Sequence, residues 1–221
     1  MQQTGPLRLY DTQRSGNAWK VRLLAGYIGQ PLERSTLSID KGDLETPEFR
    51  AIARFRQVPV LEMPDGRRIA ESGAILFFLA QGTDWWPKDP LEQADVLSWM
   101  SFEQSSHMHP LAQLRLHRAL HPDRNVERSK VEEWESKANG ALAVLEERLS
   151  QVEEGDWLAT HSQPSIADIA LYPYTRMAGM GGIELDNKPG VSNWLKRVES
   201  LPGYSALFPG RAELNESVVE G

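Results

Sequence analysis

Residues 57–79, QVPVLEMPDGRRIAESGAILFFL, narrow the folds open to this chain more than any other stretch. They hold a Val58-Pro59 step, a strand-like run, a Pro64-Asp65-Gly66 turn and a second strand, then pass through Glu71-Ser72 into an apolar helix. Asp-Gly between apolar runs signals a hairpin, because Gly supplies the positive φ that such turns require. Ser72 is of the type that caps a helix, at an end whose free N–H groups attract anions. A hairpin that delivers its chain to a helix start is a site for a small carboxylate.

The elements before this stretch set its surroundings. Leu7 and Leu9 alternate with Arg8 and Tyr10, which predicts a strand over 7–10. Ala18, Val21, Leu24, Ala25 and Ile28 recur at helical spacing, and Gly29 and Pro31 end that helix. A second strand is expected over 32–39. Strand, helix and strand in this order favour a parallel pair. Thr46-Pro47-Glu48-Phe49 reads as a short helix start with Pro at its first position. The first part is therefore β-α-β-α-β-β-α.

No strand pattern follows. Positions 83–90, with two prolines and two tryptophans, read as a linker packed against something. Helices are expected over 91–106, 111–120, 126–152 and 193–200, with Pro110 kinking or ending the first of them. Ser165-Ile166-Ala167-Asp168 is a capping-box pattern that opens a further helix. The expected division is an α/β domain over 1–82, the linker, an all-α domain over 91–210 and a polar tail over 211–221. Asn215-Glu216-Ser217 in that tail matches a glycosylation acceptor.

Composition excludes several functions. The net charge of −7 argues against nucleic acid, whose phosphates need a basic face. With no cysteine, there is no disulfide framework, thiolate metal site or protein thiol nucleophile, so any sulfur chemistry needs a thiol carried by a ligand. His117 and His121 lie four apart but lack a third ligand at matching spacing, so no metal is expected. No run reaches signal-peptide or transmembrane length, which makes the expected location cytoplasmic, without a membrane partner.

Ser15-Gly16-Asn17 before a Lys-Val-Arg helix, Gln57-Val58-Pro59, Glu71-Ser72 with Ala74-Ile75, and Ser165-Ile166-Ala167-Asp168 form an ordered set. In that order and spacing the chain resembles the cytosolic glutathione S-transferase superfamily, most of all its bacterial branches with a Ser, Thr or Asn active-site residue. The resemblance implies a thioredoxin-like N-terminal domain, an all-α C-terminal domain and glutathione as co-substrate. It implies a cis Val58-Pro59 bond, with the Val58 backbone meeting the cysteinyl backbone of glutathione. Glu71 and Ser72 would hold the γ-glutamyl end, and Lys41 and Gln57 the glycyl carboxylate. Ser15 and Asn17 compete for the place beside the thiol, near the positive end of the first helix. Each of these residues also has a plainer reading: Pro59 as a strand opener, and Ser72, Ser15 or Asn17 as helix caps. Trp99, Phe102, Glu103, His107 and Arg115 fall where the family builds its electrophile pocket, and an aromatic stripe at that spacing also suits a core. The sequence departs from the family at Ala53-Arg54-Phe55-Arg56, where Asn-Pro-x-Gly is frequent.

The expected activity is transfer of the glutathione thiolate to small electrophiles by a homodimer. A neighbouring expectation is glutathione-dependent disulfide or peroxide reduction, with two glutathiones supplying both sulfurs. A third, of another class, is a non-catalytic binding or regulatory protein on the same fold.

Overall fold

The computed structural model describes residues 5–153 and 155–207. The tail over 211–221, with Asn215, lies outside the described residues. The chain divides into two compact units; among the described residues these are 5–83 with 202–207, and 84–201.

The first unit is a four-stranded sheet in the order β2-β1-β3-β4. Its strands are β1 (Leu7–Asp11), β2 (Leu32–Thr36), β3 (Val60–Glu62) and β4 (Arg68–Ala70). β1 and β2 run parallel with Leu7 opposite Leu32, as the strand-helix-strand order implies. The second strand stops at Thr36, three residues short of expectation. β3 is antiparallel to both β1 and β4. Gly66 takes φ +82° at the tip of the β3–β4 hairpin, and Met63 N–H donates to Arg67 O across it at 2.8 Å.

Three helices complete this unit: α1 (Gly16–Tyr27), α2 (Pro47–Ile52) and α3 (Ser72–Ala80). α1 packs against α3, and Leu9, Trp19, Leu23, Leu24, Leu61, Ile75 and Leu76 are fully buried. Leu9 and Leu61 are cross-strand partners. Tyr10 and Val60, one position on, point to the opposite face, where they meet Phe49 and Ala53 of the α2 region. Residues 202–207 are held against α1, with Trp19 Nε1 donating to Ser205 O at 2.7 Å. The fit is close: a Cβ on Gly26 would lie 2.5 Å from Gly203 O.

Every regular element of the second unit among the described residues is a helix or helical turn. Asp89 caps α4 (Pro90–Phe102), accepting from Leu91 N at 2.7 Å and Glu92 N at 3.1 Å. A π turn (Glu103–His107) follows, then α5 (Met108–Arg115) and a second π turn (Leu116–Leu120). Pro110 does not end this run, which continues through it as the third residue of α5. α6 (Arg128–Gln151), α7 (Ile166–Arg176) and α8 (Pro189–Ser200) complete the bundle. α7 is its centre, buried from Ile166 to Thr175. Its capping box forms as the sequence implies, with Ser165 N–H on Asp168 Oδ2 at 2.9 Å. Asp168 also accepts from Trp194 Nε1 of α8 at 2.9 Å. Trp85 of the expected linker is buried, and its carbonyl accepts from Ile166 N at 3.2 Å. Among the described residues no helix is long and apolar enough to cross a membrane.

Candidate active site

Register gathers the candidate residues of the first unit at one end of its sheet. Tyr10, Val60 and Ala70 stand side by side across β1, β3 and β4. Just beyond that row the chain continues into the turn carrying Ser15, back into Pro59 and Val58, and on into Glu71. Asp11 pairs with Thr36 at the same end, so the loop carrying Lys41 starts there as well. Adjacent strands lie about 4.8 Å apart, which brings residues distant in sequence to the same sheet end. α1 and α3 both begin here, adding two positive helix ends.

Ser15 is the N-cap of α1, and its Oγ accepts from Ala18 N at 3.1 Å. That bond uses a lone pair and leaves the hydroxyl hydrogen free to donate. Asn17, in the first turn, has a buried Oδ1 with no hydrogen-bond partner among the described residues. The Val58–Pro59 bond is cis, and Val58 lies before the first paired residue of β3, outside both ladders. Gln57 and Lys41 are exposed.

The start of α3 differs from expectation by one residue. Glu71 occupies the cap position at φ 72°, and Ser72, only 3% exposed, is the first helical residue. Glu71 uses no side-chain oxygen to cap the helix. A non-glycine residue at positive φ is strained by about 1–3 kcal/mol and persists where its surroundings impose it. The result is a free carboxylate beside a set of first-turn N–H groups. Such a pair is complementary to an ammonium and a carboxylate on one small molecule.

The structure also holds residues that sequence reasoning missed. Asp11 is fully buried and accepts from Arg22 Nη1 at 2.6 Å, Arg34 Nε at 3.0 Å and Thr36 Oγ1 at 3.2 Å. Burial lowers the Arg22 pKa, and the Arg34 charge lowers it further against the attraction of Asp11. Arg22 Nη2 also donates to Gln13 O at 3.1 Å, so this cluster fixes the turn that leads to Ser15. Arg14 in that turn pairs with Asp40, next to Lys41. Opposite charges near the ends of two strands expected to be parallel were the available signal, but only the register joins them.

Two positions bear on the departure noted above. Arg56, the last residue of that departure, takes φ 55°, a left-handed backbone that suits glycine better than arginine. Phe55 beside it is 51% exposed, with the Arg54 guanidinium 5.2 Å from its ring centroid.

The residues assigned by resemblance to an electrophile pocket lie in the second unit. Trp99 and Phe102 are half-buried and meet edge to face, with ring centroids 5.5 Å apart. Glu103, His107 and Arg115 are buried. His107 Nε2 lies 2.9 Å from Thr175 Oγ1, whose own hydrogen goes to Leu171 O at 2.8 Å. The His107 proton therefore sits on Nε2, and the ring ties the first π turn to α7. Among the described residues no group of three or more His, Cys, Asp or Glu is placed to hold a metal ion.

Comparison with known proteins agrees with this architecture. Residues 14–81 match the family model described as glutathione S-transferase, N-terminal domain, and residues 107–202 match that of the C-terminal domain. A glutathione S-transferase structure from Pseudomonas fluorescens Pf-5 superposes with TM-score 0.87 at 35% identity, covering 92% of this chain and 99% of that one. Glutathione S-transferase F10 of Arabidopsis thaliana is 30% identical over 81% of this chain and 86% of its own length. The disulfide-bond oxidoreductase YfcG of Escherichia coli K12 is likewise 30% identical, over 75% and 78%. With its thioredoxin-like sheet and all-α second unit, this chain belongs to the glutathione S-transferase family.

Proposed function

We propose that this protein is a glutathione transferase that joins the glutathione thiolate to small electrophiles. The observation that carries this reading is the convergence at one sheet end of Ser15, Val58 with its cis Pro59, and Glu71 with Ser72. The Glu71 carboxylate takes the γ-glutamyl ammonium, and Ser72 with the α3 N–H groups takes its carboxylate. Val58 pairs through its backbone with the cysteinyl residue, while Lys41 and Gln57 serve the glycyl end. Ser15 donates its free hydroxyl hydrogen to the sulfur.

A free thiol has a pKa of about 8.5, and lowering it by one unit takes about 1.4 kcal/mol. A donated hydrogen bond and the α1 field together supply that much. The proton leaves to solvent, the thiolate attacks the electrophilic carbon, and the leaving group departs with its bonding pair. Exposed Phe77 and Phe78, at 43% and 42%, give α3 an apolar surface suited to a second copy of the chain, so the active form is a homodimer.

The likeness to a disulfide-bond oxidoreductase favours a second reading. Without cysteine, the chain would use two glutathiones. One thiolate opens the substrate disulfide and releases a thiolate. A second glutathione thiolate then attacks the glutathione sulfur of the mixed disulfide, giving oxidised glutathione and releasing the other half of the substrate as a second thiolate.

Calorimetry with glutathione, and turnover of an aryl halide and a small disulfide, test both readings. Millimolar or tighter binding is expected, with turnover in Ser15→Ala reduced about tenfold or more, the worth of a donated hydrogen bond to charge. Unchanged turnover of both substrates in Ser15→Ala would remove Ser15 from the sulfur, leaving Asn17→Ala as the next test. No binding at all would sink both enzyme readings and leave a non-catalytic binding or regulatory protein.

A further inference from the structure

The helical unit contains a cavity of about 370 Å³ bounded by α4, the end of α6 and the loop after Asp156. That volume lies at the small end of ligand sites, which run from about 300 to 1,000 Å³. Asp95 and Glu92 of α4 face it together with Arg148 of α6 and His161 of the loop, and Leu91, Ala94 and Ala159 supply apolar wall.

The charges in this cavity are only partly paired among the described residues. Asp95 is half-buried and makes no hydrogen bond or ion pair among the described residues. Burial raises its pKa, and the Arg148 charge opposes that rise, so the two groups feel each other without touching. Arg148 donates Nε to Leu158 O at 2.8 Å, and its two terminal nitrogens have no acceptor among the described residues. Glu92 gives one oxygen to the His161 N–H at 3.1 Å and keeps the other. The His161 ring is taken by Asp156, with Nδ1 2.7 Å from Oδ2.

Half-buried opposite charges ordinarily close into a pair or find other partners, because leaving either unmatched costs free energy. A carboxylate and a guanidinium that line one cavity without pairing match a ligand that carries both charges. We propose that this cavity binds a free α-amino acid with an apolar side chain, its carboxylate on the Arg148 terminal nitrogens and its ammonium on Asp95 and Glu92. Leu91, 80% exposed at the rim, meets the side chain. The site lies wholly in the second unit and does not depend on the glutathione reading.

Calorimetry of the full chain with L-leucine tests the proposal, alongside 3-methylbutylamine and 4-methylpentanoate, which each keep one charge. Saturable binding of leucine is expected at or below roughly 10 mM, with each analogue at least about tenfold weaker. Asp95→Asn should weaken leucine at least about tenfold while melting like the parent, since it removes no core volume; Arg148→Lys, which gives up the bond to Leu158 O, should weaken leucine by as much and melt somewhat lower. Glutathione should not displace leucine. No saturation in the parent chain overturns the proposal, as does unchanged affinity in a folded Asp95→Asn variant. Amine or acid alone binding as well as leucine overturns the requirement for both charges.

Discussion

Val60 and Ala70 face each other in the β3–β4 ladder, and the next residues along, Pro59 and Glu71, leave the sheet at the same end. That pairing turns a stretch of sequence into a candidate site. It puts a backbone segment free of ladder bonds next to a carboxylate and a helix N-terminus. Neither the hairpin nor the helix alone would present those groups together.

Glu71 at φ 72° carries strain that a ligand site would explain, and Arg56 at φ 55° offers a control. Glu71→Gly is expected to raise stability by about 1 kcal/mol and to weaken glutathione about tenfold or more. Arg56→Gly should give a similar stability gain with little change in glutathione affinity. Urea midpoints and glutathione calorimetry on both variants provide the readout. Equal loss of affinity in the two variants would remove Glu71 from the proposed γ-glutamyl site.

Asp11, itself fully buried, balances a mostly buried Arg22 and a partly exposed Arg34. Asp11→Ala leaves Arg22 and Arg34 facing each other, which should cost about 3–5 kcal/mol. Urea denaturation measures this directly. A shift below about 1 kcal/mol would mean that the arginines find other partners.

Gly26 and Gly203 meet backbone to backbone. An added Cβ on Gly26 lies 2.5 Å from Gly203 O, closer than real contacts allow. Gly26→Ala should therefore loosen residues 202–207 from α1, at about 1–3 kcal/mol. Hydrogen exchange at the Trp19 indole N–H, which donates to Ser205 O at 2.7 Å, should speed up by about tenfold or more. Unchanged exchange would show that α1 shifts to make room.

The pKa of His161 is raised above 6.5, first by its hydrogen bond to Asp156 and then by that residue's charge. A pKa raised on folding gives stability that is fully present below the unfolded value. It is lost as pH rises through the folded value, so the window opens near 6.5 and extends upward. The effect is small, because the His161 side chain is 80% exposed. In an NMR titration Asp156→Asn should move the His161 midpoint down. A midpoint that stays put would assign the shift to Glu92 and Glu153.

The sequence by itself determined most of the local structure, because those features rest on short-range chemistry. Gly66 specified the hairpin tip, Ser15 capped α1, and Ser165 with Asp168 closed a capping box, each through a turn or bond a few residues long. The ordered motifs also carried the family. Tertiary structure decided what depends on register and close approach. It joined Asp11 to Arg22 and Arg34, moved the α3 cap from Ser72 to Glu71, and laid residues 202–207 against α1. It also brought Asp95 and Arg148 to the lining of one cavity. Those pairings link residues 11 to 186 positions apart, and no local preference encodes which distant partners a folded chain brings into reach.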